Sequence, residues 1–153
     1  MSAQLQMKND FRTPLDRLDA LIGTWRTEGW TIEAPAEPVV ATDTYERLPG
    51  GGLLHLVDAW VGDRQVEGAE IIGYDPARGG YVTQYFGSDG ASAYVASIGE
   101  YRGALVWAMA SKNFRFTGTF NEDRTVITGR WEALDHDARR RPSMDITLTR
   151  EVR

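Results

Sequence analysis

Residues 15–30 read LDRLDALIGTWRTEGW, and the fold turns on how this stretch divides. Its first half places Leu15, Leu18, Leu21 and Ile22 on one helical stripe, with Asp16, Arg17, Asp19 and Ala20 elsewhere. Thr13 stands where a cap is needed, Pro14 suits the first helical position, and Asp16 follows three residues after the cap. Gly23 suits the left-handed conformation that ends a helix. From Thr24 the period changes to two. Trp25, Thr27, Gly29 and Thr31 share one strand face; Arg26, Glu28, Trp30 and Ile32 share the other. A short capped helix therefore feeds straight into a strand, and the expectation is a helix that plugs whatever this strand begins.

Beyond Trp30 the chain reads as strands and tight turns. Ala34 to Pro38 is a loop by its prolines, and Val39 to Leu48 is a second strand. Pro49-Gly50-Gly51-Gly52 is a turn, followed by a strand from Leu53 to Val61. Further strands are expected at 65–74, 81–86, 92–99, 104–110, 114–120, 126–134 and 144–149, with a polar loop before the last, ending at Pro142. No link is long enough for a crossover helix, so the sheet is antiparallel. A meander of hairpins closes most simply on itself, which removes its edges. The fold expected is all-β: a closed antiparallel up-and-down barrel of about ten strands with one short N-terminal helix, wide enough for one small ligand.

Composition bounds the rest. A chain of 153 residues is one domain with a sizeable core. Residues 1–12 are polar and unpatterned and are expected to be a flexible tail, with 13–153 forming the barrel domain. There is no cysteine, hence no disulfide and no thiolate chemistry. The start has no apolar run like a signal peptide and no stretch is long enough to span a membrane as a helix, so the expected location is cytoplasmic with no membrane partner. A net charge of −5 argues against nucleic acid, and the run Arg139-Arg140-Arg141 reads as a solvated turn.

Gly23-Thr24-Trp25, Tyr45-Glu46-Arg47-Leu48 before Gly50-Gly51-Gly52, and Gly73-Tyr74-Asp75 before the strand at Tyr81 together resemble a bacterial family of calycin-like (lipocalin-like) barrels, catalogued as a domain of unknown function. The likeness runs from Leu15 onward. It implies a ten-stranded calycin-like barrel with an interior cavity, and it brings no catalytic residues. More distantly the chain is similar to the nitrobindin barrels, which share the Gly-x-Trp opening and bind haem through a histidine on a late strand. The late strand here, Ser143 to Thr149, has no histidine, which argues against haem, and no cofactor is expected.

Motifs for chemistry are sparse. The two histidines, His55 and His136, lack metal-ligand spacing, so no metal is expected. His136 reads as a loop residue. His55 sits mid-strand, where both faces are partly apolar, so parity leaves its side open. No Gly-x-Ser-x-Gly elbow occurs, and Gly50-Gly51-Gly52 lacks the helix and lysine of a phosphate loop. Glu46, Asp58 and Glu70 lie within strands, where charge is unusual unless exposed, paired or functional. The reading taken is one small apolar or amphiphilic ligand held inside the barrel. Its walls are Trp25, Tyr85, Tyr94, Trp107 and Phe116, its polar contacts Glu46 and His55. Thr27 and Gly29 line the lumen beside Trp25, Gly29 leaving room. One alternative is an enzyme using Glu46 and Glu70 as acid and base. Another is a filled barrel acting as an interaction module or homodimer, because Leu53 to Val61 and Ala104 to Ala110 are apolar on both faces.

Overall fold

The computed structural model describes residues 13–137 and 139–152; the expected tail, residues 1–12, lies outside them. Ten strands form one closed antiparallel barrel, each paired with its sequence neighbours and the last with the first. They are β1 (Gly23–Thr31), β2 (Pro38–Arg47), β3 (Leu53–Val61), β4 (Arg64–Asp75), β5 (Gly80–Gly87), β6 (Gly90–Tyr101), β7 (Ala104–Ala110), β8 (Phe114–Phe120), β9 (Val126–Leu134) and β10 (Arg140–Arg150). Alternation decides which residues face in. On β2, Val39, Ala41, Asp43 and Tyr45 are buried while Val40, Thr42 and Glu46 are exposed.

Two expectations change at the ends of elements. Pro14–Leu21 is a 3₁₀ helix rather than an α-helix, and Thr13 makes no side-chain cap. The helix ends at an extended Ile22; Gly23 then opens β1 at φ 134°, outside the left-handed helical region. A plug this short must turn at once into the strand, and the extended Ile22 does so without a capping turn. The second change is β10. It begins at Arg140 rather than Met144, with a register shift between Pro142 and Met144. The bulge tolerates Pro142 in a strand, so the stretch expected as a loop pairs with β9. The arginine run lies partly on this strand, with Arg141 beside Glu33 at 3.1 Å and Arg140 beside Glu132 at 4.0 Å.

The 3₁₀ helix closes one end of the barrel. Leu18 and Leu21 are buried with Trp25, Leu53, Ile72 and Phe120 in one apolar cluster. Trp25 donates its indole N–H to the Leu21 carbonyl at 2.8 Å, so the ring seals the helix end as well as the core. Arg47 ion-pairs with Asp19 and lies 3.8 Å from Asp16, tying the helix to the end of β2. From the far end of the chain, Arg150 stacks its guanidinium over the Trp25 ring at 4.2 Å. It also donates to the Ile22 carbonyl and, at 2.6 Å, to that of Ala20.

Arg150 thus satisfies carbonyls that a 3₁₀ helix end leaves open. Arg150→Ala is expected to lower unfolding stability by roughly 1–3 kcal/mol, and Arg150→Lys to recover little, because an ammonium lacks the planar fork. Urea denaturation of both variants checks this; a lysine variant as stable as the parent would show that charge alone suffices.

Candidate functional site

Five successive strands each send one polar side chain into the lumen, and the five join in a single hydrogen-bonded chain. Thr27 on β1 donates to Asp43 Oδ2 on β2 at 2.5 Å. Asp43 Oδ1 accepts from His55 Nε2 on β3 at 2.7 Å. His55 Nδ1 donates to Glu70 Oε1 on β4 at 3.0 Å. Glu70 Oε2 accepts from Thr83 on β5 at 2.9 Å. All five residues are buried. The register explains the chain: His55 pairs directly with Glu70, while Asp43 stands diagonal to His55, one inward position from its partner Tyr45.

Burial by itself would drive the His55 imidazole towards neutrality. The hydrogen bonds and charges of Asp43 and Glu70 outweigh it, and the His55 pKa is raised to about 9. At neutral pH the ring is an imidazolium with both N–H groups committed. Tyr45 stacks flat on it, with centroids 4.0 Å apart and planes within 8°. Burial, then the neighbouring Asp43 and Glu70, push the Tyr45 phenol well above its ordinary value, which keeps it neutral.

Above this polar layer, towards the end opposite the helix, the lumen changes character. Val57, Gly68, Tyr85, Tyr94, Trp131 and Met144 face inward yet are only half-buried. These solvent-facing side chains outline a cup, while Val39, Ala41, Ala59 and Val61 in the same half stay buried. Aromatic rings form one wall: Tyr94 meets Trp131 at 6.0 Å edge-on, and Trp131 meets Phe116 at 5.1 Å. Tyr85 pairs with Glu70, and Tyr94 with Thr83. The Tyr85 hydroxyl turns to the rim and donates to Asp89 at 2.7 Å. At the mouth lies a pocket of about 370 Å³, lined among others by Thr31, Val61, Arg64 and Met144.

The residues singled out from sequence divide accordingly. Trp25 and Trp107 lie in the packed core, and Phe116 joins that core to the aromatic wall. Thr27, His55 and Glu70 belong to the polar chain. Tyr85 and Tyr94 stand in the cup. Glu46 does not take part: it is exposed on the outer face of β2, so Glu46 and Glu70 lie on opposite sides of the wall and share no cavity. Asp58 is likewise exposed, where it accepts from Gln65 at 3.2 Å. Gly29 leaves no lumen space. A Cβ there would run into the Asp145 carbonyl oxygen, so glycine is needed for the approach of β10. His136 is in an exposed loop. Asp43, Trp131 and Arg150 were not singled out. Asp43 carried one signal, its place on the face of Val39, Ala41 and Tyr45.

No family model matches the chain, and no curated protein is similar to it in sequence. Solved structures do match. The chain is similar to Rv2717c from M. tuberculosis, with a TM-score of 0.68 and 11% identity over 92% of this chain and 99% of that one. It is also similar to the S-type phycobiliprotein lyase CPES from Guillardia theta, with a TM-score of 0.60 and 9% identity over 95% of this chain and 97% of that one. Likeness at such identities is a likeness of fold, and the barrel architecture is shared. Among the described residues no helix is long and apolar enough to cross a membrane.

Proposed function

We propose that this protein binds one small amphiphilic molecule in the open half of its barrel. The observation that carries the reading is the solvent reach of inward-facing Val57, Gly68, Tyr85, Tyr94, Trp131 and Met144 above a closed polar floor. Concave, mostly apolar walls with a few convergent polar groups suit a small-molecule site. The acid–base alternative named Glu46, which lies outside, and the carboxylates that do share the lumen, Asp43 and Glu70, are both held by His55 and a threonine. Binding without turnover fits this geometry better. Nile red, a neutral apolar dye, is expected to bind and quench tryptophan emission. Val57→Phe should fill the cup and weaken the dye by about tenfold or more, at a cost in stability below about 3 kcal/mol. Equal affinity in parent and variant would place the dye elsewhere and end the reading.

A second reading belongs to the outer wall. Trp30, Val40, Leu56, Trp60, Ile71 and Phe86 point outward from β1 to β5 and are 43% to 63% exposed. Large apolar side chains exposed together on one wall mark an interaction surface. Arg26, Asp58 and Glu67 cross this surface in one register row, giving charges of both signs. Such a face suits a second copy of the chain about a twofold axis. Sedimentation velocity should then show a dimer that Trp60→Lys converts to monomer; a parent monomeric at high micromolar concentration excludes it.

A further inference from the structure

We propose that the ligand is an organic cation: an ammonium group carried on an apolar body. The inference rests on the reading of the open half as a ligand cavity and names the chemistry of its occupant.

The polar floor has spent its donors. Thr27 and Thr83 give their hydroxyl protons to Asp43 and Glu70, and His55 gives one N–H to each. Trp25 donates to a backbone carbonyl and Tyr85 to Asp89, both away from the floor. On these five side chains only acceptors are left. Each carboxylate oxygen receives one hydrogen bond from within this network and keeps a second lone pair, and both threonine oxygens can accept as well. A ligand that reaches the floor must therefore bring donors.

Charge points the same way. Two carboxylates face one imidazolium, so the chain holds one more acid than base. An anion would meet both carboxylates and find no free N–H on His55. The Asp43 and His55 side chains keep 12% and 10% of their surface accessible, so the floor is not sealed from solvent. The walls suit a cation too. Tyr85 and Tyr94 stand on the strands next to Glu70 and Thr83, with Trp131 beside Tyr94, and the face of an aromatic ring attracts an ammonium. Rejection of the anion and attraction of the cation act together as specificity.

The test uses three probes of one shape: phenylpropylamine, phenylpropanol and phenylpropanoate, titrated calorimetrically into the full chain at neutral pH. The amine is expected to bind about tenfold or more tighter than the alcohol, with the acid weakest. In Glu70→Gln, which keeps the shape and removes one charge, the amine-to-alcohol ratio should fall to about unity. Asp43→Asn reads the same ratio should the first variant fail to fold. Nile red binding without preference for the amine, or a preference unchanged in a folded variant, overturns the cation proposal and leaves the cavity standing. Absence of both Nile red and amine binding removes both.

Discussion

Glu70→Ala is expected to destabilise the protein by about 3–5 kcal/mol, the usual cost of removing one partner from a buried, hydrogen-bonded ion pair. Glu70 is 4% exposed, and its loss leaves the His55 Nδ1–H and the Thr83 hydroxyl without their acceptor. The truncation adds a void between β3 and β5. A double cycle with His55→Leu separates the two effects: the coupled substitution should cost less than the sum, since the orphaned charge disappears with its partner. Stability should also depend on pH in a defined direction. The His55 pKa is raised from 6.5 to about 9, so the folded state holds the proton more tightly than the unfolded chain. The stabilisation is fully present below about pH 6.5 and is lost as pH rises through 9, a change on the order of a few kcal/mol. Urea midpoints between pH 6 and 10 should fall in the parent and lose that slope in His55→Leu. A parent midpoint that is flat across this window would contradict an imidazolium clamped by two carboxylates.

Leu18→Ala is expected to cost about 2–5 kcal/mol. Leu18 is completely buried in the same cluster as Leu21, Trp25 and Leu53, so truncation removes contacts in the middle of the plug. The 3₁₀ helix is tied at the edge by the Arg47 and Arg150 contacts and cannot collapse freely into the void. Chemical denaturation measures the loss; a value near zero would mean that the helix does not close the barrel.

Much of the fold was legible because turn chemistry punctuates it. The limits of β3, β7, β8 and β9 agree with the stretches expected between glycine, proline and asparagine links. β10 was less legible, because Pro142 reads as a breaker unless a bulge accommodates it. The site was harder. His55 lies in Leu53–Val61, apolar on both faces, and alternation alone cannot orient such a strand. Glu46 and Asp43 sit on opposite faces of β2, and only the pairing of Tyr45 with His55 shows which face holds the network. Gly29 was misread for a related reason: a missing side chain looks like space until the neighbouring backbone is placed. The outward wall of β3, in contrast, is apolar on either side of Asp58, with Leu56 and Trp60 exposed. That of β7 carries only Ala104, Val106, Ala108 and Ala110.

The pairing of β1 with β10 makes a seam of a different kind from every other in the wall. Each remaining pair is a hairpin whose turn brings its strands together at once, whereas Trp25 meets Arg150 only after the whole meander has wound round. Loop-closure entropy rises with the logarithm of the chain enclosed, each doubling adding about 0.6 kcal/mol, so this joint is the costliest in the circle. While it is unmade, two strands stand with unpaired amides. Arg150 is placed on that joint: it ends β10, covers the first tryptophan of β1 and holds the carbonyls of the helix that precedes it. One side chain thus works as a latch, tying closure of the wall to seating of its lid.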